Sequence, residues 1–174
     1  MKIFTYFLPI SLLLFSACSH DVERYTLSAT QERAATSYLS GQIKKDDKIE
    51  LTFNAIYLND VYPEYQHEVA QFLVALYSKE PIHLTITGSN QKASKNSYTI
   101  RLRKKSALWY KRLEKDDLLI DLMPINSGWL DYYIITFPLD KEKKRAPELE
   151  LMGDGHKLKL KFKKPYVTKM FSEM

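Results

Sequence analysis

One thiol, four imidazoles and a row of lysines at every second position are the side chains with the most specific chemistry in this chain. The thiol is Cys18, the only cysteine, which excludes an internal disulfide and a multi-cysteine metal centre. The imidazoles are His20, His67, His83 and His156, scattered along the sequence. His67-Glu68 has no second histidine four positions on, so it lacks the spacing of a zinc-protease helix. With five glycines there is no phosphate-cradling loop, and no Gly-x-Ser-x-Gly turn presents a nucleophile. Adjacent Asp116-Asp117, and Asp154 between Gly153 and Gly155, read as turn residues. No catalytic residue, metal site or cofactor follows from these patterns, and the expectation is a protein that is not an enzyme. A rival enzymatic reading requires two or more of His67, His83, Asp116 and Glu64 to meet in a deep polar pocket.

Binding chemistry is better represented. Lys157, Lys159, Lys161 and Lys163 alternate with Leu158, Leu160 and Phe162. In a strand that spacing puts four ammonium groups on one face and the apolar residues behind them. Such a row serves either as a solvated edge that resists aggregation or as a surface attracted to anionic headgroups or polysaccharide. Arg101, Arg103, Lys104 and Lys105 form a second basic run. Tyr62 and Tyr65 flank Pro63 in a loop, where aromatic side chains offer large contact area at low entropic cost. Tyr166, Val167, Met170, Phe171 and Met174 form an apolar stripe at helical spacing in the tail. An exported protein gives no reason to expect nucleic acid as a partner.

Export is inferred from the N-terminus. Lys2 precedes a mostly apolar run from Ile3 to Phe15, followed by small Ser16 and Ala17, the order of a secretory signal. The run is shorter than the roughly 20 apolar residues of a spanning helix. Leu14-Phe15-Ser16-Ala17-Cys18 resembles the lipobox of bacterial lipoproteins, with Phe15 where that family usually carries Leu. The resemblance implies cleavage before Cys18, a diacylglyceryl group on its sulfur and an acyl chain such as palmitate on its new amine. At roughly 0.8 kcal/mol per buried CH₂, two chains already give stable anchoring. Ser19 in the next position resembles the outer-membrane address of Gram-negative lipoproteins, a cell-envelope location with the membrane as partner. An ordinary signal followed by a chance cysteine is the alternative. Cleavage would leave 157 residues and lower the formal charge from +5 to +4, since Lys2 is the only charge removed.

The remainder must position these groups. Of 174 residues, 45% are hydrophobic, 27% are charged and twelve are tyrosines, a globular composition that leans towards β structure. Lys48 to Leu58 alternates as a strand, with Ile49, Leu51, Phe53, Ala55 and Tyr57 on one face. Ile82 to Thr87, Ser97 to Arg103, Leu118 to Leu122, Glu148 to Met152 and Lys157 to Lys163 read as shorter strands. Trp129 to Phe137 is apolar on both faces, which argues for a central strand. Gln42 to Lys48 reads as a polar turn, Gln91 to Asn96 as a hairpin loop, and Ser106 to Leu113 as a helical turn. Tyr25 to Ser40 reads two ways. Ser28-x-x-Gln31 is a capping box for a short helix, whereas recurring Thr and Tyr favour edge strands, the reading preferred here. Gln71 to Ser78 fits either period. The expectation is an all-β, antiparallel immunoglobulin-like β-sandwich of about seven to nine strands with short helical turns. Its parts are a signal peptide (1–17), a lipidated tether (18–24), the sandwich (25–165) and a tail (166–174).

A second resemblance covers roughly Lys48 to Phe137. Asn54-Ala-Ile-Tyr-Leu-Asn59, Tyr62-Pro-Glu64, Phe72-Leu-Val-Ala-Leu-Tyr77 and Pro124-Ile-Asn126 followed by Trp129 and Tyr132-Tyr133 are similar to small lipoproteins of Campylobacter-type bacteria. That group implies a variant immunoglobulin-like sandwich and tips Gln71 to Ser78 towards strand. It carries no site residues to this chain. The functional expectation is a lipid-anchored envelope module that binds or builds, or an accessory subunit of a secretion- or pilus-type assembly.

Overall fold

A computed structural model describes residues 28–63, 69–85, 96–139 and 146–163. Cys18, Tyr65, His20, His67, Glu64, the signal, the tether and the tail 166–174 lie outside the described residues. Two sheets share one core. The first runs β1 (Tyr38–Lys45), β2 (Lys48–Tyr57), β3 (Val69–Ser78), β8 (Asp131–Pro138) and β7 (Trp109–Arg112), in that order across the sheet. The second runs β10 (His156–Lys161), β9 (Glu148–Gly153), β5 (Ser97–Leu102) and β4 (His83–Thr85), with two-residue β6 (Lys105–Ser106) also on β5. The all-β expectation is met, with ten strands among the described residues rather than seven to nine.

Between the sheets lie Leu51, Phe53, Phe72, Val74, Ile135 and Phe137 from the first, facing Ile100, Leu149, Leu151 and Leu160 from the second. Phe72 sits at the centre, 5.8 Å from Phe137 at 79° and 5.3 Å from Phe162, the tilted geometries that aromatic quadrupoles favour. The opposite face of the first sheet is buried too. Ile56, Leu73, Ala75 and Tyr132 pack beneath Ala34 of α1 (Ala29–Thr36), Leu58 and Val61 of α2 (Leu58–Val61), and Ile120 and Leu122 of a 3₁₀ turn (Leu118–Leu122). Burial on both faces explains why β3 and β8 are apolar at nearly every position. It also resolves Gln71 to Ser78 as strand.

Several expectations are corrected. The preferred strand reading of Tyr25 to Ser40 fails over Ala29–Thr36, which form α1, and holds from Tyr38, where β1 begins; Tyr25-Thr26-Leu27 lies outside the described residues. Both halves of its capping box form: Gln31 N donates to Ser28 Oγ at 3.2 Å, and Ser28 N donates to Gln31 Oε1 at 3.0 Å. The polar stretch Gln42 to Lys48 is mostly strand, and its turn is only Asp46-Asp47, both at positive φ. Ser106 to Leu113 is not a helical turn but contributes edge strand β7. Leu118 to Leu122 is not a strand but the 3₁₀ turn, capped by Asp117, whose carboxylate accepts from Leu119 N at 3.0 Å. Trp129 precedes its strand instead of opening it. Finally, β4 pairs with β5 in parallel, so the fold is not purely antiparallel. Asp154-Gly155, at φ +47° and +74°, makes the expected tight hairpin between β9 and β10. Gly41 marks where the sheets close at their edge, since a Cβ there would lie 2.5 Å from Leu158 Cδ2.

Candidate functional site

Strand pleating decides which side chains of the first sheet face outward. With Leu51 and Phe53 turned into the core, Thr52 and Asn54 point to the opposite face. Cross-strand register sets Ser40 against Asn54, and Gln42 against Thr52 with Tyr77 beyond it. The result is a plate of hydroxyl and amide groups spread over three strands. Asn54 is 3% exposed, and one end of its amide accepts from Tyr38 Oη at 3.0 Å.

The chain between the 3₁₀ turn and β8 overhangs this plate. Ile125, Ser127, Trp129 and Leu130 complete an open groove of about 590 Å³. Trp129 is 85% exposed and Ile125 58%, although neither is required by the core. The overhang is braced. Ser127 N donates to Tyr132 Oη at 3.0 Å, and Trp129 N donates to Ser127 Oγ at 3.3 Å. Leu130 N donates to Ser127 O at 3.1 Å, and Leu130 itself is buried in the second cluster. An indole is therefore held out to solvent above a polar floor on a turn whose conformation is fixed beforehand. Among the described residues no charged side chain lines the groove, and the ammonium of Lys115 lies 3.8 Å from where a Cβ on Gly128 would sit.

Lys157, Lys159 and Lys161 of the lysine row lie on β10, at the edge of the second sheet. β10 pairs with β9, and the glutamates of β9 share the period of two. Lys157 and Lys159 each lie 3.0 Å from Glu150 Oε1, and Lys159 lies 2.6 Å from Glu148 Oε1. Glu150 is only 4% exposed. Burial pushes its carboxyl up, but the two ammonium groups outweigh burial and hold it below the ordinary carboxylate range. Lys161 and Lys163 are exposed. Half of the row is thus a charge ladder, a pattern readable from Glu148-x-Glu150 once the Gly153–Gly155 hairpin folds it back.

Tyr62 is partly buried and packs against the second cluster. With Leu58, Asn59, Gln71, Trp109, Leu119 and Ile134 it lines a cavity of about 300 Å³. Asn59 braces the wall, donating to Val69 O at 2.9 Å and accepting from Gln71 N at 2.8 Å. Beside it Asp60 is half-buried; burial lifts its carboxyl to about 6 against the pull of a hydrogen bond from Ser37. Burial, with the Asp60 charge added, pushes the Tyr57 phenol up to about 12. The edge strand β7 exposes Trp109 and Tyr110, and Leu108 beside it is exposed as well. Arg112 of that strand pairs with Asp131 of β8.

His83 starts β4 and His156 starts β10, on opposite edges of the second sheet. Asp117 is spent on its cap. Among the described residues no three His, Cys, Asp or Glu side chains gather as a metal site. No helix among them is long and apolar enough to cross a membrane. The exposed tryptophan groove is the feature that sequence reasoning missed. Its one hint was a tryptophan beside the turn-forming Asn126 and Gly128. No protein-family model, curated protein or solved structure matches the chain.

Proposed function

We propose that the protein is a lipid-anchored binding module of the cell envelope, tethered through Cys18 to the outer membrane of a Gram-negative bacterium. The observation that carries the reading is the lone cysteine directly after an apolar run and the small pair Ser16-Ala17. Its similarity to bacterial lipoproteins supplies the anchor. A groove edged by an exposed indole supplies the binding half, since large aromatics held in contact-ready positions dominate recognition surfaces. An immunoglobulin-like relation belongs to the same proposal. Two facing sheets support it, and the parallel β4–β5 pair departs from it. The reading includes no catalytic step.

Lys161 and Lys163 remain the residues through which an anionic headgroup or polysaccharide would attract the domain. A second reading, the accessory subunit of an envelope assembly, draws on the edge of β7, where exposed Trp109 and Tyr110 flank backbone that another strand could extend.

The anchor is tested by replacing Cys18→Ala and fractionating cells in high salt. The unaltered chain is expected in the membrane fraction and the variant in the soluble fraction. A variant that still sediments fully with membranes overturns lipid anchoring.

A further inference from the structure

We infer that the groove under Trp129 binds an uncharged oligosaccharide. This deepens the binding-module reading and rests on it. Three properties of the groove narrow the ligand. The described residues that line it carry no charge, so none of them compensates the desolvation of a phosphate, carboxylate or ammonium group. Its floor offers the hydroxyls of Ser40 and Thr52 and the carboxamide of Gln42, which both donate and accept and so can exchange bonds with the hydroxyls of a sugar ring. Its rim offers an indole with its face unused by the core. The negative face of an aromatic ring attracts the weakly positive C–H hydrogens on the flat side of a pyranose, and burying that side removes apolar surface from water.

Geometry adds to the chemistry. Ser40 and Asn54 face each other across β1 and β2, and Gln42 and Thr52 repeat the pair two residues on. The spacing along a strand between such pairs is about 7 Å, enough to present successive polar groups to adjoining sugar units. The hydrogen bonds at Ser127 fix the backbone that carries Trp129 before any ligand arrives, which lowers the entropic cost of binding.

The chain contains two tryptophans. Trp109→Phe therefore leaves Trp129 as the only indole. The test uses this variant as the full lipidated chain in a sugar-free polyoxyethylene detergent. It is titrated with maltohexaose, cellotetraose, mannohexaose and chitohexaose while emission is followed. A saturable blue shift with one or more of them is expected, with Kd between about 10 μM and 1 mM. Calorimetry with Trp129→Ala should show binding weakened at least about tenfold, and Gln42→Ala with Thr52→Val about threefold, with the near-ultraviolet circular dichroism of both variants retaining folded packing. Silence from every sugar up to about 10 mM overturns the inference, as does binding that ignores Trp129→Ala. A response to an uncharged leucine-rich peptide with none to the sugars assigns the groove to peptide and overturns it too. Failure here leaves the fractionation result at Cys18 untouched, so the two readings fall separately.

Discussion

Asp60→Asn removes a charge that the fold holds at a disadvantage, and the direction of its effect reverses common experience with surface carboxylates. The carboxyl of Asp60 is lifted from 3.8 to about 6, first by burial between α2 and its neighbours and against a hydrogen bond from Ser37. The folded chain therefore binds this proton more tightly than the unfolded chain. A raised carboxyl contributes stability below its unfolded value, and that contribution is lost as pH rises through its folded value. The window is about pH 4 to 6. At about 1.4 kcal/mol per tenfold in proton affinity, the full displacement would be worth about 3 kcal/mol. Asp60 is only half-buried, and solvent screening reduces this to about 1 kcal/mol. Asn keeps an oxygen for Ser37 and carries no charge at any pH. Urea unfolding followed by far-ultraviolet circular dichroism at pH 4, 5, 6 and 7 reads the difference directly. Asp60→Asn should match the unaltered protein at pH 4 and exceed it by about 1 kcal/mol at pH 7. A gap that is the same at both ends of the range, or an Asn variant that is the weaker one at pH 7, refutes the burial argument.

Three further substitutions test other parts of the structure. Glu150→Gln should destabilise at pH 7, and the gap should close as acid titrates Glu150 below 4.5, because its lowered carboxyl contributes only while ionised; an acid-unfolding curve checks this. Thr136→Val should stabilise by about 1 kcal/mol in thermal unfolding, since the Thr136 hydroxyl is buried at 1% exposure with no hydrogen-bond partner among the described residues. Lys104→Gly should raise stability by about 0.5 kcal/mol, because Arg103 and Lys104 turn the β5–β6 hairpin at φ +46° and +74°, a region that disfavours side chains; denaturant midpoints would show it.

What the sequence made legible was the pattern set by one buried face. Phe53 and Leu51 alternate with polar residues, and β2 falls where that alternation says. Elements covered on both sides were harder. The Phe72–Tyr77 run fits helix or strand because burial on two faces erases the period of two. Short apolar pieces went the wrong way for the same reason. Leu118 to Leu122 reads as a strand, but the Asp117 cap and the need to cover Leu73 and Ala75 make it a 3₁₀ turn. In Ala29 to Thr36 the capping box outweighed the β-leaning threonines, since its two hydrogen bonds satisfy backbone donors that residue preferences do not. The groove was legible only as a tryptophan beside a turn. Ser40, Thr52, Tyr77 and Trp129 come from four segments, and no residue type distinguishes an exposed tryptophan from a buried one. The lysine row was legible as a row, but its partners lay across a hairpin.

The central claim is that this domain is held at a membrane through the lipid on Cys18. Intact-mass and N-terminal peptide analysis of the protein extracted from native membranes tests it most directly. The account requires a mature chain beginning at Cys18, carrying a thioether-linked diacylglyceryl group and an amide-linked acyl chain. A chain that retains residues 1–17, or one with an unmodified thiol at Cys18, would contradict it.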